Sequence, residues 1–501
     1  MGGRFRRRTA ANISFVLISG MALFLFGCGG GSGGGTKEPV PVIQNLNNST
    51  QPSGSVSLPI EIDGTGFQSA PGQVIFTQGS ITATVTPNSG GWSDTGIVVD
   101  VPSGSSSTQF TVPGTVAVGV KTSGGTSNSV NLTLVQQVNF NVNNVTWTTT
   151  TALPKPESGL GAVAVPSNST TSAFVVLAGG YDGINDLNTV LTNTIAQNGT
   201  LGSWSTAANA LPSPRAFAGM AEANPGNSLV PVGSQFIYVI GGQQNASDKP
   251  GGTSTVFMAP VDPASGSVGA WTQLANSLPV ALVGPGVTIA DGYVYVVGGL
   301  QTTGIPSSTV YSAPVNSDGT LGAWTKAANP YPVTVAFPSV FAFAGNLYAI
   351  NGDDQNETSP DVADTGGVTD ANFAPIPFGV VGPWTSSAQT IKNRSKQSTW
   401  LAFGQIIDAE GTYSGGAGGT GSLELERTTV SSNGTLATWN GITAVNAPGA
   451  NVYNAAAIVS PVLSTTNAPR FLLFGGEQFV TVDVGYPTNP LSATVYVNNA
   501  P

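Results

Sequence analysis

Histidine and cysteine, on which much enzyme chemistry depends, are nearly missing from this sequence. Its 501 residues include no histidine, and the only cysteine is Cys28. Imidazole general bases, His-ligated zinc or copper, Ser-His-Asp triads and cysteine nucleophiles are therefore excluded. Any catalysis would have to depend on Asp, Glu, Lys, Tyr or Ser.

Acidic residues cluster in the segment NGDDQNETSPDVADTGGVTD, at residues 351–370. Their carboxylates are hard oxygen ligands of the kind that calcium prefers. The candidate calcium ligands are Asp353, Asp354, Asp361 and Asp364. Because the spacing matches no known calcium loop, an ordinary acidic surface loop is the alternative. We expect no other cofactor.

One phrase recurs along most of the chain, as AQNGTLGSWSTAANALP at 196, PASGSVGAWTQLANSLP at 263 and NSDGTLGAWTKAANPYP at 316. Between these phrases, hydrophobic strands end in Gly-Gly, as in VVLAGG at 175 and VYVVGG at 294. Six tryptophans mark the repeat at separations of 57, 67, 53, 60 and 55 residues: Trp147, Trp204, Trp271, Trp324, Trp384 and Trp439. A period of this length with several short strands is typical of a β-propeller.

The Gly-Gly pairs and tryptophans resemble those of kelch-type propellers, in which the pair follows the second strand of a blade and the tryptophan lies near the fourth. The resemblance covers residues 140–501 and implies six blades. The last Gly-Gly strand has no tryptophan strand after it, so we expect the segment around Trp147 to complete the sixth blade. Blades four and five keep only Asn351-Gly352 and Phe403-Gly404. A seventh blade would require an irregular stretch that hides one.

Kelch-type propellers commonly bind ligands at one mouth of the axial channel, so the resemblance implies a site there. Alignment of the blades after their tryptophans gives six roughly equivalent positions: Glu157, Arg215, Leu282, Val335, Arg394 and Asn451. The candidate ligand-binding residues are Glu157, Arg215, Arg394 and Asn451. Two guanidinium groups, a carboxylate and an amide could hold a carboxylated or hydroxylated ligand. The alternative is an Arg215 to Glu157 ion pair that links adjacent blades.

A basic segment, IKNRSKQ, places Lys392, Arg394 and Lys396 on one face if it is extended. Two interpretations stay open for this segment. It is either a patch that binds an anionic glycan or a solvated face of a strand.

Residues 39–135 alternate apolar and polar side chains, as in VSLPIEID and SVNLTL, between Gly, Pro and Ser clusters. This pattern predicts a β-sandwich. The segment resembles the IPT/TIG immunoglobulin-like domains in PVPVIQNLNN, in GTGF at 64–67, in WSDTGIVVDVP at 92–102 and in GTVAVGVKTSGGTSNSVNLTL. In bacterial surface proteins such domains usually act as spacers or adhesion modules, so the resemblance implies a rigid arm.

The N-terminus has the pattern of an export signal. Four arginines precede an apolar run from Ile13 to Phe26 that is short for a membrane span. The ending LFGC resembles the bacterial lipobox, which implies a lipoprotein signal peptide at 1–27 and a lipidated Cys28. A Gly/Ser-rich tether at 28–38 follows. An ordinary signal peptide or an uncleaved anchor are the alternatives. In lipoproteins of Gram-negative bacteria, an Asp directly after the lipidated cysteine is the usual signal for retention in the inner membrane. Position 29 is Gly, so the resemblance implies a location at the outer membrane or the cell surface.

Charge and composition limit the classes of partner that we expect. Four of the 15 basic residues lie in the first eight positions, which leaves 11 against 25 acidic residues in the remainder. Nucleic acid is therefore not an expected partner. We expect an all-β protein, an Ig-like sandwich followed by a six-bladed kelch-like propeller, anchored to the membrane by lipid.

Three functions fit these observations. The first is a binding or adhesion module for a polysaccharide or a protein at the channel mouth. The second is a carbohydrate-active enzyme with carboxylate acid/base chemistry at the propeller axis, for which Glu157 is the one suitable aligned residue. The third is a structural component of the envelope. A copper oxidase is excluded, since it needs histidine.

Overall fold

The structure is a computed structural model of the 501-residue chain. The chain separates into residues 1–38 and a compact unit of residues 39–501, to which every element below belongs. The structure describes residues 38–47, 52–57, 59–87, 92–135, 146–169, 171–224, 227–228, 230–231, 233–245, 251–355, 367–402, 404–413, 420–421, 425–431, 433–442, 452–461, 469–478 and 490–499.

The N-terminal sandwich, residues 39–135, consists of two sheets whose buried faces meet. Its strands are β1 (Val42–Leu46), β2 (Ser53–Gly54), β3 (Pro59–Thr65), β4 (Gln73–Gln78), β5 (Ile81–Val85), β6 (Gly96–Asp100), β7 (Gly114–Thr122), β8 (Gly125–Thr126) and β9 (Val130–Leu134). One sheet has the order β1-β3-β6, and the other has the order β2-β9-β7-β4-β5 with β8 beside β7. Alternate residues of β3, Ile60 and Ile62, enter the core, so its opposite face carries Glu61 and Asp63.

Six antiparallel four-stranded sheets follow, and each is one blade of a propeller. Blade one consists of β11 (Gly161–Pro166), β12 (Ser172–Ala178), β13 (Val190–Ala196) and β14 (Ser205–Thr206). Blade two consists of β15 (Gly219–Ala223), β16 (Phe236–Ile240), β17 (Val256–Pro260) and β18 (Thr272–Gln273). Blade three consists of β20 (Gly286–Ala290), β21 (Tyr293–Val297), β23 (Val310–Pro314) and β24 (Thr325–Lys326). Blade four consists of β25 (Ser339–Phe343), β26 (Asn346–Ile350), β27 (Ala371–Pro375) and β28 (Thr385–Ser386). Blade five consists of β30 (Ser398–Ala402), β31 (Gln405–Ala409), β34 (Leu425–Thr429) and β35 (Asn440–Ile442). Blade six consists of β37 (Ala456–Val459), β38 (Phe471–Phe474), β40 (Val495–Asn499) and β10 (Thr146–Thr149).

Short elements connect these blades. They are β19 (Leu282–Val283), β22 (Leu300–Gln301), β29 (Arg394–Ser395), β32 (Thr412–Tyr413), β33 (Thr420–Gly421), β36 (Val452–Tyr453), β39 (Glu477–Gln478) and a 3-10 helix (Pro377–Gly379). Among the described residues, no helix is both long enough and apolar enough to cross a membrane.

The six blades close into a ring. The first strand of each blade contacts the first strand of the next, in the order β11, β15, β20, β25, β30, β37 and back to β11. The predicted closure is confirmed, because β10 pairs with β40 and sets Trp147 opposite Asn498. The first strand of the ring thus supplies the outermost, fourth strand of its last blade, beyond β40.

The repeated phrase joins each blade to the blade before it. The tryptophan Nε1 atoms donate hydrogen bonds to backbone carbonyls there: Trp204 to Thr151, Trp271 to Asn209, Trp324 to Asn276, Trp384 to Asn329 and Trp439 to Ala388, at 2.7–3.3 Å. Asn276, in one phrase, also donates from Nδ2 to the Leu321 carbonyl in the next. The phrase therefore recurs because its contacts recur.

The turn glycine of the phrase has a steric role. Gly319 has φ +80°, and a Cβ atom there would lie 2.5 Å from the ring of Phe236 in the preceding blade. Gly266 packs in the same way against Phe174, and Gly379 against Tyr293. Only glycine combines a left-handed backbone with so close an approach.

Blade five differs from the sequence prediction. Gly404 lies in the hairpin turn between β30 and β31, so this position does not end the second strand, and Phe403 lies outside the described residues. The position of the Gly-Gly pair is taken by Glu410 and Gly411, at φ +60° and +82°. The sequence prediction was wrong because a glycine alone does not reveal which of two successive turns it occupies.

Candidate functional site

The Gly-Gly pairs lie at one end of the propeller and bond each blade to the next. The second residue of each pair donates its N–H to a backbone carbonyl: Gly180 to Arg215, Gly242 to Leu282, Gly299 to Val335, Gly352 to Arg394, Gly411 to Val452 and Gly476 to Glu157. Five of the six positions aligned from the sequence are thus structurally equivalent. The sixth position is Val452, and Asn451 lies outside the described residues.

Arg394 is buried inside blade five. Its side chain is 0% exposed, with Nε 3.3 Å from Asp408 Oδ2 and Nη2 3.2 Å from Glu426 Oε1. Its Nη1 donates to the Glu410 carbonyl at 2.8 Å. Burial raises the pKa of Asp408 to about 7, although the charge of Arg394 acts to lower it. The guanidinium group neutralises buried carboxylates, so it is not presented to a ligand at the mouth.

Arg215 is also buried, at 1% exposure. Its Nη1 donates to Ser213 Oγ at 2.8 Å and to the Pro214 carbonyl at 2.6 Å, and Nη2 bonds Thr255 Oγ1. The guanidinium carbon lies 4.6 Å from the centre of the Phe257 ring. Burial lowers the pKa of Arg215 to about 10, and the charge of Asp186 opposes this effect. Among the described residues, Asp186 and not Glu157 is the carboxylate that acts on this pKa.

Glu157 is a buried carboxyl group at the boundary between blades six and one. It is 4% exposed, and its Oε2 atom has no hydrogen-bond partner. Burial raises the pKa of Glu157 to about 7, while Lys155 acts to lower it and Asp182 to raise it. This group can change its charge near neutral pH, but little of it is accessible.

Side chains fill the propeller axis at this end. Six equivalent residues have φ between 53° and 59°: Gly159, Phe217, Gly284, Phe337, Lys396 and Asn454. Backbone hydrogen bonds join them around the axis, for example from Phe217 to Gly159 and from Gly284 to Phe217. The Phe217 and Phe337 rings meet edge to face at 6.2 Å, and Lys396 Nζ lies 5.1 Å from the centre of the Phe337 ring. The mouth named as the site from the sequence is therefore plugged.

The basic segment singled out in the sequence has three basic residues, of which the structure buries Arg394 and Lys396 and leaves Lys392 partly exposed. Lys396 is 4% exposed and Arg394 is 0% exposed. Arg394 and Ser395 form β29, which pairs with β32. The anionic-glycan interpretation is therefore not supported for these two residues, and a solvated face is not observed for them either.

The acidic segment at 351–370 is described only in part. Asp353 is fully buried and accepts the Gln355 N–H at 2.8 Å, whereas Asp354 is exposed. Asp361 and Asp364 lie outside the described residues, as does Cys28. Within the described part of the segment, no group of three acidic side chains is close enough to hold a metal ion.

A cavity of about 640 Å³ lies at the other end of the propeller, between the N-terminal sandwich and the turns that join the first and second strands of the blades. We call it the interdomain cleft. The sandwich contributes residues of β1, β3 and β6, and the propeller contributes the turns Asp291-Gly292 and Ala344-Gly345. The cleft also contains amide side chains and an aromatic ring, from Gln44, Asn45, Asn346, Asn433 and Tyr293. None of the described residues that line it is Lys or Arg.

Three carboxylates meet in the cleft. One oxygen from each of Glu61, Asp63 and Asp291 lies within 4.8 Å of the other two. Burial raises the pKa of Asp63 well above its usual range, and the charges of Glu61 and Asp291 raise it further. Sequence analysis missed this cluster. The alternation in PIEID shows that Glu61 and Asp63 face away from the core, but it does not show what lies opposite them.

Comparison with known proteins finds likeness at the level of structure. No protein-family model matches the chain, and no curated protein matches it. The solved structure of the protein YjhT is similar to 69% of this chain and 95% of its own chain, with a TM-score of 0.47 and 14% sequence identity.

Proposed function

We propose that the protein is a lipid-anchored binding or adhesion module of the bacterial cell envelope. Its IPT/TIG-type sandwich would act as an arm that carries a kelch-type propeller. The signal peptide predicted at residues 1–27, directly before Cys28, supports the location, and the absence of histidine supports binding over catalysis. The expected ligand is a polysaccharide or a protein.

The interdomain cleft is the proposed ligand site, in place of the channel mouth. The carrying observation is that the cleft is an open cavity of about 640 Å³ with polar groups, whereas Phe217 and Phe337 fill the axis at the mouth. Pockets that bind ligands combine concave shape with a few convergent polar groups. Carboxylate and amide side chains can hydrogen-bond sugar hydroxyls, and Tyr293 offers an apolar ring. We therefore favour a polyhydroxylated ligand.

A carbohydrate-active enzyme is the second candidate. The observation in its favour is Glu157, whose pKa of about 7 suits a general acid or base. Its 4% exposure argues against this role, since a catalytic group must reach the substrate. Binding is the function that the geometry supports better.

The test is binding of the fragment 36–501 to a broad glycan array. Gln44→Trp places a large ring in the cleft from an exposed position on β1, and Val42→Trp, at another exposed position of the same strand, is the matched control outside the cleft. We expect signals that Gln44→Trp abolishes and Val42→Trp keeps. A third variant, Glu157→Gln, tests the channel mouth. Signals that are lost only in this variant would show that the ligand binds at the mouth, and sugar released from the ligand would favour the enzyme. A blank array with folded protein would contradict a glycan ligand.

A further inference from the structure

The acidic cluster in the cleft joins two parts of the fold that are distant in sequence. Glu61 and Asp63 project from one face of β3, because residues two apart in a strand share a face. Asp291 comes from the hairpin turn between β20 and β21 in blade three. The blade-four turn is adjacent, since a Cβ atom at Gly345 would lie 3.2 Å from Glu61 Oε1. The cluster therefore lies where the sandwich meets the propeller.

Asp63, one of the three residues of the cluster, has an unsatisfied side-chain oxygen. Asp63 is 8% exposed, and its Oδ2 atom is buried without a hydrogen-bond partner. The same carboxyl group has side-chain hydrogen bonds with Asn45, which stands opposite Asp63 in the β1–β3 pairing, and with Asp291 of the cluster itself. A buried carboxylate oxygen without a donor is costly, because it has lost water and gained nothing. A bound cation would satisfy this oxygen.

The ligand atoms indicate which cation. All three are carboxylate oxygens, which suit hard cations and not zinc or copper. All three oxygens lie within 4.8 Å of one another, close enough to share one ion. Three protein carboxylates suit calcium, since magnesium usually keeps several waters and takes only one or two carboxylates. We propose that Glu61, Asp63 and Asp291 bind one calcium ion that links the N-terminal sandwich to blade three.

This calcium would fasten the sandwich to the propeller. Without it, three carboxyl groups crowd together where the two parts meet, and none of the described residues that line the cleft is a Lys or Arg that could balance them. With it, ligands from β3 and from the Asp291 turn share one ion. The inference does not depend on the proposed glycan function, because calcium alone is the probe.

The experiment is equilibrium dialysis of the full-length chain in detergent with radioactive calcium, together with thermal unfolding in calcium, in magnesium and in a chelator. We expect saturable binding and a higher Tm in calcium than in magnesium. Asp63→Asn and Asp291→Asn each should weaken calcium binding about tenfold or more. Asparagine tolerates the left-handed backbone of Asp291, at φ +52°, so this variant is expected to fold.

Asp354→Asn is the matched control, since Asp354 is exposed and belongs to the acidic segment at 351–370. It should bind calcium as the unmodified chain does. Calcium binding that survives both Asp63→Asn and Asp291→Asn in folded protein would overturn the proposal, and loss in Asp354→Asn alone would move the site to the acidic segment. The absence of saturable calcium binding to the full-length chain would also overturn it. A failed glycan array would leave these results unaffected.

Discussion

At the scale of single residues, the buried charges of blade five stabilise the fold. Arg394 contacts Asp408 and Glu426 without any exposure to solvent. A buried ion pair contributes modestly to stability, but removal of one partner leaves a charge that nothing neutralises. These groups therefore matter for folding before they matter for any ligand.

Arg394→Met should destabilise the protein by about 3–5 kcal/mol, because Asp408 and Glu426 would lose their cation while most of the packing volume remains. The loss of stability should be larger at high pH, because Asp408 and Glu426 are then ionised and have no cation beside them in the variant. Urea unfolding measures it. Lys326→Met, at an exposed position of β24, is the control and should change little. Equal unfolding midpoints for Arg394→Met and the unmodified chain would contradict this role.

Glu157→Gln should change the pH dependence of stability. The pKa of Glu157 is raised from 4.5 to about 7, so between these values the folded state keeps a proton that the unfolded state releases. Its contribution to stability therefore falls as pH rises through this window and is constant above it. Relative to Glu157→Gln, the unmodified chain should lose about 1–2 kcal/mol between pH 5 and pH 8. Parallel unfolding profiles of the two proteins over this range would refute the raised pKa.

At the scale of strands and turns, the contacts between blades explain the repeat. Each phrase supplies a tryptophan donor, an acceptor carbonyl and a tight glycine turn to its neighbours. None of these contacts exists within one isolated blade, so a blade is stable only beside the next.

Gly319→Ala should lower stability more than Gly233→Ala does. Both glycines have left-handed φ, +80° and +86°, but only at Gly319 would the new methyl group meet a ring, that of Phe236. Left-handed backbone alone costs about 1–2 kcal/mol, and the clash adds about 1–3 kcal/mol. Thermal unfolding of the two variants separates these costs. Equal Tm values would show that the Gly319 contact is unimportant.

The sequence predicts such elements well where residue type and period agree. Trp, Gly-Gly and the turn phrase recur together, which placed five blades and the closing strand correctly. Blade five failed because Gly404 sits in a hairpin turn, while Glu410 occupies a left-handed position that usually favours glycine. The equivalence of Arg215 and Arg394 was visible in the spacing. Their burial was not, because the partners of Arg394 lie on strands that no motif marks.

At the scale of the whole molecule, two long-range contacts define the architecture. One is the pairing of β10 with β40, which joins residues 146–149 to residues 495–499. The other is the cleft, which combines β3 with turns near residues 291 and 345. The first could be predicted from the missing tryptophan strand. The cleft could not be predicted, because a contact between the surfaces of two different folds produces no repeating pattern in the sequence.

Thr148→Pro should weaken ring closure, and Thr149→Pro should be tolerated better. Thr150 donates its N–H to the Val495 carbonyl. Because N–H groups alternate in direction along an antiparallel strand, the N–H of Thr148 points towards β40 and the N–H of Thr149 points away from it. Proline removes a donor and is accepted mainly where the N–H faces solvent. Thermal unfolding and light scattering would measure stability and aggregation. Equal behaviour of the two variants would contradict closure through this strand.

Ligand binding in the interdomain cleft, and not at the channel mouth, is the proposal on which the suggested function depends. Hydrogen–deuterium exchange of the fragment 36–501, with and without purified bacterial envelope polysaccharide, tests it most directly. We predict slower exchange on polysaccharide addition at residues 92–98, 291–293 and 344–346, which line the cleft. Slower exchange confined to the mouth around Phe217, Phe337 and Lys396 would contradict the proposal.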